Sequence, residues 1–131
     1  AGGTVPYLVQ RMALGGRLSP KLRERAPQDA RAYLARLSYD TAIASTPHTL
    51  RSLLELVPPA QVLFGSDHPY LPEPLIADEV AGVAGYDGFD AEARALVERE
   101  NALRLFPALA ARTAAPARAR SDSRHLTGGP T

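Results

Sequence analysis

Ser66, Asp67 and His68 follow the apolar run Val62-Leu63-Phe64 and a break at Gly65. A carboxylate can bind a cation or move a proton, and an imidazole can do either near neutral pH. A buried strand that stops at a glycine and then offers such groups suits an α/β enzyme. The strand gives rigidity and the loop at its carboxyl end gives access. Pro69, Pro72 and Pro74 stiffen the exit. The bland alternative for Asp67 is an Asx-turn ahead of Pro69. A hydrolase triad is excluded, because adjacent side chains leave the backbone in different directions and no Gly-x-Ser-x-Gly elbow is present.

Arg11 lies downstream of Gly2-Gly3, Pro6 and Tyr7 and on its own reads as a solvated helix residue, although a guanidinium can grip a carboxylate through two parallel hydrogen bonds. A glycine pair before a helix can also bind an anion, although a simple strand-to-helix turn explains it equally well. Asp40 ends an earlier apolar stretch, where it either faces a pocket or holds loop N–H groups. His48 reads as a surface residue in a first helical turn. No phosphate loop, dinucleotide fingerprint or His-rich metal motif occurs. A single carboxylate cannot hold a catalytic zinc, which needs three or more protein ligands.

These residues need elements to position them. Tyr7, Leu8, Met12 and Leu14 form a rough helical stripe, with Thr4 as cap and Gly15-Gly16 as its end. Ser19-Pro20 opens a short charged helix with a solvated face. Pro27 opens an amphipathic helix through Ala30, Tyr33, Leu34 and Leu37, which runs into a strand at about 37–40. Thr46 and Pro47 begin a helix whose buried stripe is Leu50, Leu53, Leu54 and Val57. A second strand is expected at about 61–65. Strand–helix–strand units are parallel and right-handed almost always, so Asp40 and Asp67 should share one face. Leu75, Ile76, Val80 and Val83 mark a further helix. Asp90 caps the last long one, with Leu96, Val97, Leu103 and Phe106 inside. From Arg112 the apolar period is lost, so 1–111 reads as the ordered portion and 112–131, with His125, as a disordered tail.

Composition sets the outer bounds. The 131 residues suffice for one modest core, and a net charge of +1 gives no field aimed at nucleic acid. There is no cysteine, which excludes disulfides and thiolate metal sites. No apolar run approaches membrane-spanning length and no signal-peptide pattern opens the chain, so the expectation is a cytoplasmic protein with no membrane partner.

VLFGSDHPY at 62–70 resembles the last barrel strand of the amidohydrolase-related family, metal-dependent enzymes that include aminocarboxymuconate-semialdehyde decarboxylase and the resorcylate-type decarboxylases. GGTVPY at 2–7 resembles the turn after that family's sixth strand, YDTA at 39–42 its seventh strand, and ENALRLF at 100–106 an element near its end. The resemblance implies an α/β chain forming the C-terminal portion of a (β/α)8 barrel. A whole barrel needs about 250 residues. It implies that Asp67 is a metal ligand and catalytic carboxylate, that Arg11 holds a substrate carboxylate, and that His68 lines the substrate pocket. It further implies a divalent metal, zinc or alternatively manganese, whose histidine ligands lie outside this sequence, one of them expected immediately before Ala1. Asn101 is expected to tie a neighbouring loop's backbone. The activity implied first is non-oxidative decarboxylation of an aromatic or related small carboxylic acid, by a protein that could form a homo-oligomer. Two alternatives stand beside it: a metal-dependent lactone or amide hydrolase, and a catalytically inactive half barrel that binds a partner.

Overall fold

A computed structural model describes residues 1–114. Helices dominate, around two short parallel strands. Helix α1 spans Val5–Leu18, α2 Pro20–Arg25 and α3 Ala30–Leu34; strand β1 is Tyr39–Asp40. Helix α4 is Pro47–Leu54, a 3-10 turn covers Pro59–Gln61, and strand β2 is Val62–Leu63. Helix α5 spans Glu73–Ala84. The last long helix is α6, Ala91–Ala95, then a π-helical turn, Leu96–Glu100, then α7, Asn101–Leu105. Helix α8, Pro107–Ala114, passes Arg112, where the tail was expected to begin. Residues 115–131, with the rest of that expected tail and His125, lie outside the described residues.

The strands pair in parallel, Tyr39 with Val62 and Asp40 with Leu63. Both are shorter than the stretches 37–40 and 61–65 suggested. Gln61 is drawn into the 3-10 turn, and beyond Leu63 the backbone hydrogen bonds go elsewhere. The Phe64 N–H donates to the Val97 carbonyl at 2.8 Å. That carbonyl is free because the π turn sends the Asn101 N–H back to Leu96 instead. One surplus residue in a helix thus supplies an acceptor for the end of β2.

The core lies where α4 and the Ala91–Leu105 helix meet the strands. Leu50, Leu53, Val62, Val83 and Val97 are fully buried there, and Val57, Tyr86 and Phe89 pack around them. Each such side chain contributes about 2 kcal/mol of burial. Tyr86 and Phe89 meet edge to face, with ring centroids 4.9 Å apart. Asp90 caps α6 through the Ala93 N–H at 2.7 Å.

Several expected details differ. The helix continues past Gly15-Gly16 to Leu18. Neither Thr4 nor Thr46 caps through its side chain; the Thr46 hydroxyl pairs with His48 Nδ1 and Thr49 Oγ1 instead. Pro27 does not open a helix, since α3 begins at Ala30 behind an Asp29 cap. Tyr7, Met12, Leu14, Leu37, Leu75 and Val80, which share apolar helical stripes, and Phe106, expected inside the last long helix, are all exposed. On α1 the buried residue is Val9, and on α5 it is Val83.

Candidate functional site

Both strands run out at the same end of the two-stranded sheet, so Asp40 and the loop carrying Asp67 emerge together. Thr41, fully buried, ties those ends. Its N–H donates to the Leu63 carbonyl at 3.0 Å. Its hydroxyl accepts from the Gly65 N–H at 3.1 Å and donates to the Gly65 carbonyl at 3.2 Å. A Cβ on Gly65 would lie 3.1 Å from that of Asp40, so the close approach favours glycine.

Past Gly65 the chain reaches Asp67 in the left-handed region, at φ 56°, then a cis His68–Pro69 bond. Aspartate tolerates that backbone better than most residues. Asp67 does not form the Asx-turn: the N–H two residues on would belong to Pro69, which has none. The turn is closed by its main-chain carbonyl, which accepts from Tyr70 N–H at 2.9 Å and Leu71 N–H at 3.2 Å. The half-buried carboxylate itself takes no hydrogen bond from the described residues. It is therefore open to a cation or a substrate.

His68 is exposed. Arg11 is exposed on α1, and among the described residues its guanidinium has no hydrogen bond or ion pair. Neither of the two cavities described is lined by Arg11, Asp67 or His68. Asp67 and His68 are brought together by sequence alone, and no contact joins Arg11 to them among the described residues. Asp40 is a loop holder, its carboxylate accepting the Ala42 N–H at 3.0 Å. His48 is exposed and meets Thr46.

A further polar assembly at this end was not anticipated. Glu79, on α5, accepts from the Ser45 hydroxyl at 2.8 Å and the Ala44 N–H at 3.3 Å, locking the β1–α4 loop to the helix that follows the Asp67 loop. Gly82 makes this approach possible, since a Cβ there would collide with the Ser45 carbonyl oxygen. Glycine in the middle of a helix was the available signal. Behind the site, buried Asn101 donates through Nδ2 to the carbonyls of Pro59, at 2.8 Å, and Val62, at 2.7 Å, as the tie the motif led one to expect.

Among the described residues no three His, Cys, Asp or Glu side chains gather closely enough to hold a metal ion. Asp67 offers one ligand position, and its unpaired, half-buried carboxylate on a tied strand end suits a divalent ion.

An amidohydrolase family model (Amidohydro_2) matches residues 12–108. The chain is 37% identical over 109 residues to a 6-methylsalicylic acid decarboxylase of Penicillium expansum, covering 83% of this chain and 33% of that protein. It is 38% identical over 117 residues to a 6-methylsalicylic acid decarboxylase of Aspergillus aculeatus, of which it covers 34%. It therefore spans about a third of the length of these curated relatives. A solved amidohydrolase II superposes with a TM-score of 0.67 at 25% identity, over 79% of this chain and 32% of that one. A 5-carboxyvanillate decarboxylase of Novosphingobium aromaticivorans, solved with bound manganese, superposes with a TM-score of 0.65 at 16% identity, over 79% of this chain and 30% of that one. The latter likeness is one of fold.

Proposed function

The chain belongs to the amidohydrolase family whose model covers residues 12–108, and from that premise we propose that it is the C-terminal part of a metal-dependent barrel decarboxylase acting on an aromatic carboxylic acid of the salicylate type. The observation that carries this reading is the Asp67 carboxylate, half-buried and unpaired among the described residues at the end of β2, in a chain 37% identical to a named decarboxylase. Asp67 is read as one ligand of the metal centre. The other ligands come from outside the described residues. Manganese in a structural neighbour supports a divalent ion, with zinc the alternative.

A bound divalent ion supplies Lewis acidity toward the oxygens of the substrate. The remaining work falls to side chains of this chain. Arg11 grips an anionic group of the substrate through its planar fork and fixes the ring relative to Asp67. Asp67 holds a proton at a carboxylate oxygen and delivers it to the ring carbon that bears the substrate carboxylate. The carbon–carbon bond then breaks, its electron pair restores the ring, and carbon dioxide leaves. His68 borders the entrance. Thr41 and Glu79 keep the two loops in register while this happens.

The test is carbon dioxide release from 6-methylsalicylic acid by the protein carrying this chain, loaded with manganese or zinc. Asp67→Asn should lower turnover by at least about 100-fold and reduce bound metal. Release of an acid from a lactone or amide, with no carbon dioxide from aromatic acids, would replace the decarboxylase with a hydrolase. Unchanged metal content in Asp67→Asn would remove Asp67 from the centre. A second reading rests on the lack of a three-ligand cluster among the described residues: the 131-residue chain alone is catalytically silent and acts only when the rest of a barrel is supplied. Turnover by the isolated chain would end that reading.

A further inference from the structure

Away from Asp67, the carboxyl half of α1 and helices α2 and α3 enclose a groove of about 460 Å³. That volume lies within the range of small-molecule sites, which are mostly apolar with a few polar anchors. Met12, Leu22, Tyr33 and Leu34 line it, with Arg17 and Arg23 beside them. Met12 and Leu22 are each nearly half exposed, at 46% and 48%, so apolar surface faces solvent here. The surroundings are strongly basic. Residues 17–36 contain six Arg or Lys and two Asp or Glu, a local charge of +4 in a chain whose total is +1.

Two of these cations are held in place. Arg23 donates through Nε to the Gly16 carbonyl at 3.0 Å, which fixes the base of its guanidinium and leaves its two terminal nitrogens unpaired among the described residues. Arg36 stacks on the Tyr33 ring, 4.9 Å from its centroid, and donates to Gln28 Oε1 at 3.3 Å. The acidic side chain at the rim, Asp29, is engaged in capping α3 through the Arg31 N–H at 2.8 Å.

We propose that this groove is a second ligand site, for an amphipathic monocarboxylate whose apolar body lies against Met12, Leu22 and Tyr33 and whose carboxylate meets Arg23. Charge complementarity selects an anion, and the apolar walls select one with a hydrophobic body. The site is independent of the reading of Asp67.

Met12 is the sole methionine in the chain, so a protein labelled at the methionine methyl carries one NMR reporter, inside the groove. Titration of the full chain with 2-naphthoate should move that resonance along a saturating curve. The uncharged 2-naphthalenemethanol should bind several times more weakly. Arg23→Gln should weaken naphthoate about fivefold, and Arg23→Lys less, because it keeps the charge but loses the fork. Arg25→Gln, outside the groove lining, should leave binding unchanged. An unmoved or non-saturating Met12 signal, equal binding of acid and alcohol, or equal effects of the Arg23 and Arg25 variants would each overturn the proposal. A Met12 signal that shifts with protein concentration alone would place a second copy in the groove and overturn it too.

Discussion

At Asp67 the backbone and the side chain make separate demands. The left-handed φ of 56° favours Gly, Asn or Asp, while the proposed metal role needs the acid. Substitution separates the two. Asp67→Asn should retain stability, and Asp67→Ala should lose about 1 kcal/mol against it in urea melts, because alanine resists that backbone. Asn101 is a purely structural counterpart. Asn101→Ala removes two hydrogen bonds, one to the Val62 carbonyl and one to the Pro59 carbonyl, which keeps the Val62 N–H as a donor, at a cost of about 2–3 kcal/mol. Tyr39 carries a pH signature. Its hydroxyl donates to the Leu34 carbonyl at 2.8 Å, and burial raises its pKa above the usual value near 10. The folded state keeps the proton longer than the unfolded one, so its contribution is complete below pH 10 and is lost as pH rises further. Alkaline stability curves should therefore steepen above that pH, and Tyr39→Phe should flatten them.

Among the elements, the helices of this chain are positioned by close contacts as well as by apolar stripes. Gly82→Ala should push α5 off the β1–α4 loop and cost roughly 1–3 kcal/mol in thermal or denaturant melts, the range for overpacking. Legibility follows from the same distinction. The α4 stripe, the Asp90 cap, the parallel pairing and the Asn101 tie were readable, because each rests on local spacing or on a motif with a fixed partner. Periodicity failed on α1 and α5, since it identifies an apolar face without saying whether anything in the chain covers it. Met12, Leu75 and Val80 show this. The π turn was invisible for another reason: LVERE has ordinary helical composition, and the surplus residue is selected by the Phe64 N–H, far away in sequence. At the site, the position of Asp67 just past the end of β2 was readable from the apolar run and the glycine, whereas the partnership of Ser45 with Glu79 is set by tertiary packing alone.

For the whole molecule, the balance of buried and exposed apolar surface is the dominant property. The buried core is concentrated around α4, β2 and the Ala91–Leu105 helix, while Tyr7, Leu18, Ile43, Tyr70 and Phe106 are all more than half exposed. Parallel sheets normally occur with many more strands and covered faces, and this one has two. The isolated chain should self-associate in sedimentation velocity at micromolar concentration, through the exposed Tyr7, Ile43, Tyr70 and Phe106 and not through the groove beside Met12. Joined to the sequence that accounts for the other two-thirds of its relatives, it should sediment as a smaller, defined species with a higher melting temperature.

The π turn also takes up its surplus residue locally, so the helix on either side keeps its phase. Removing one residue from Leu96–Glu100 would restore a regular helix, ordinarily a gain in backbone geometry, and would leave Asn101 facing the Pro59 and Val62 carbonyls. The Val97 carbonyl, however, would turn inward to its own helix and leave the Phe64 N–H without an acceptor. The irregularity therefore works as a clasp that fastens the last long helix to the chain just ahead of Asp67.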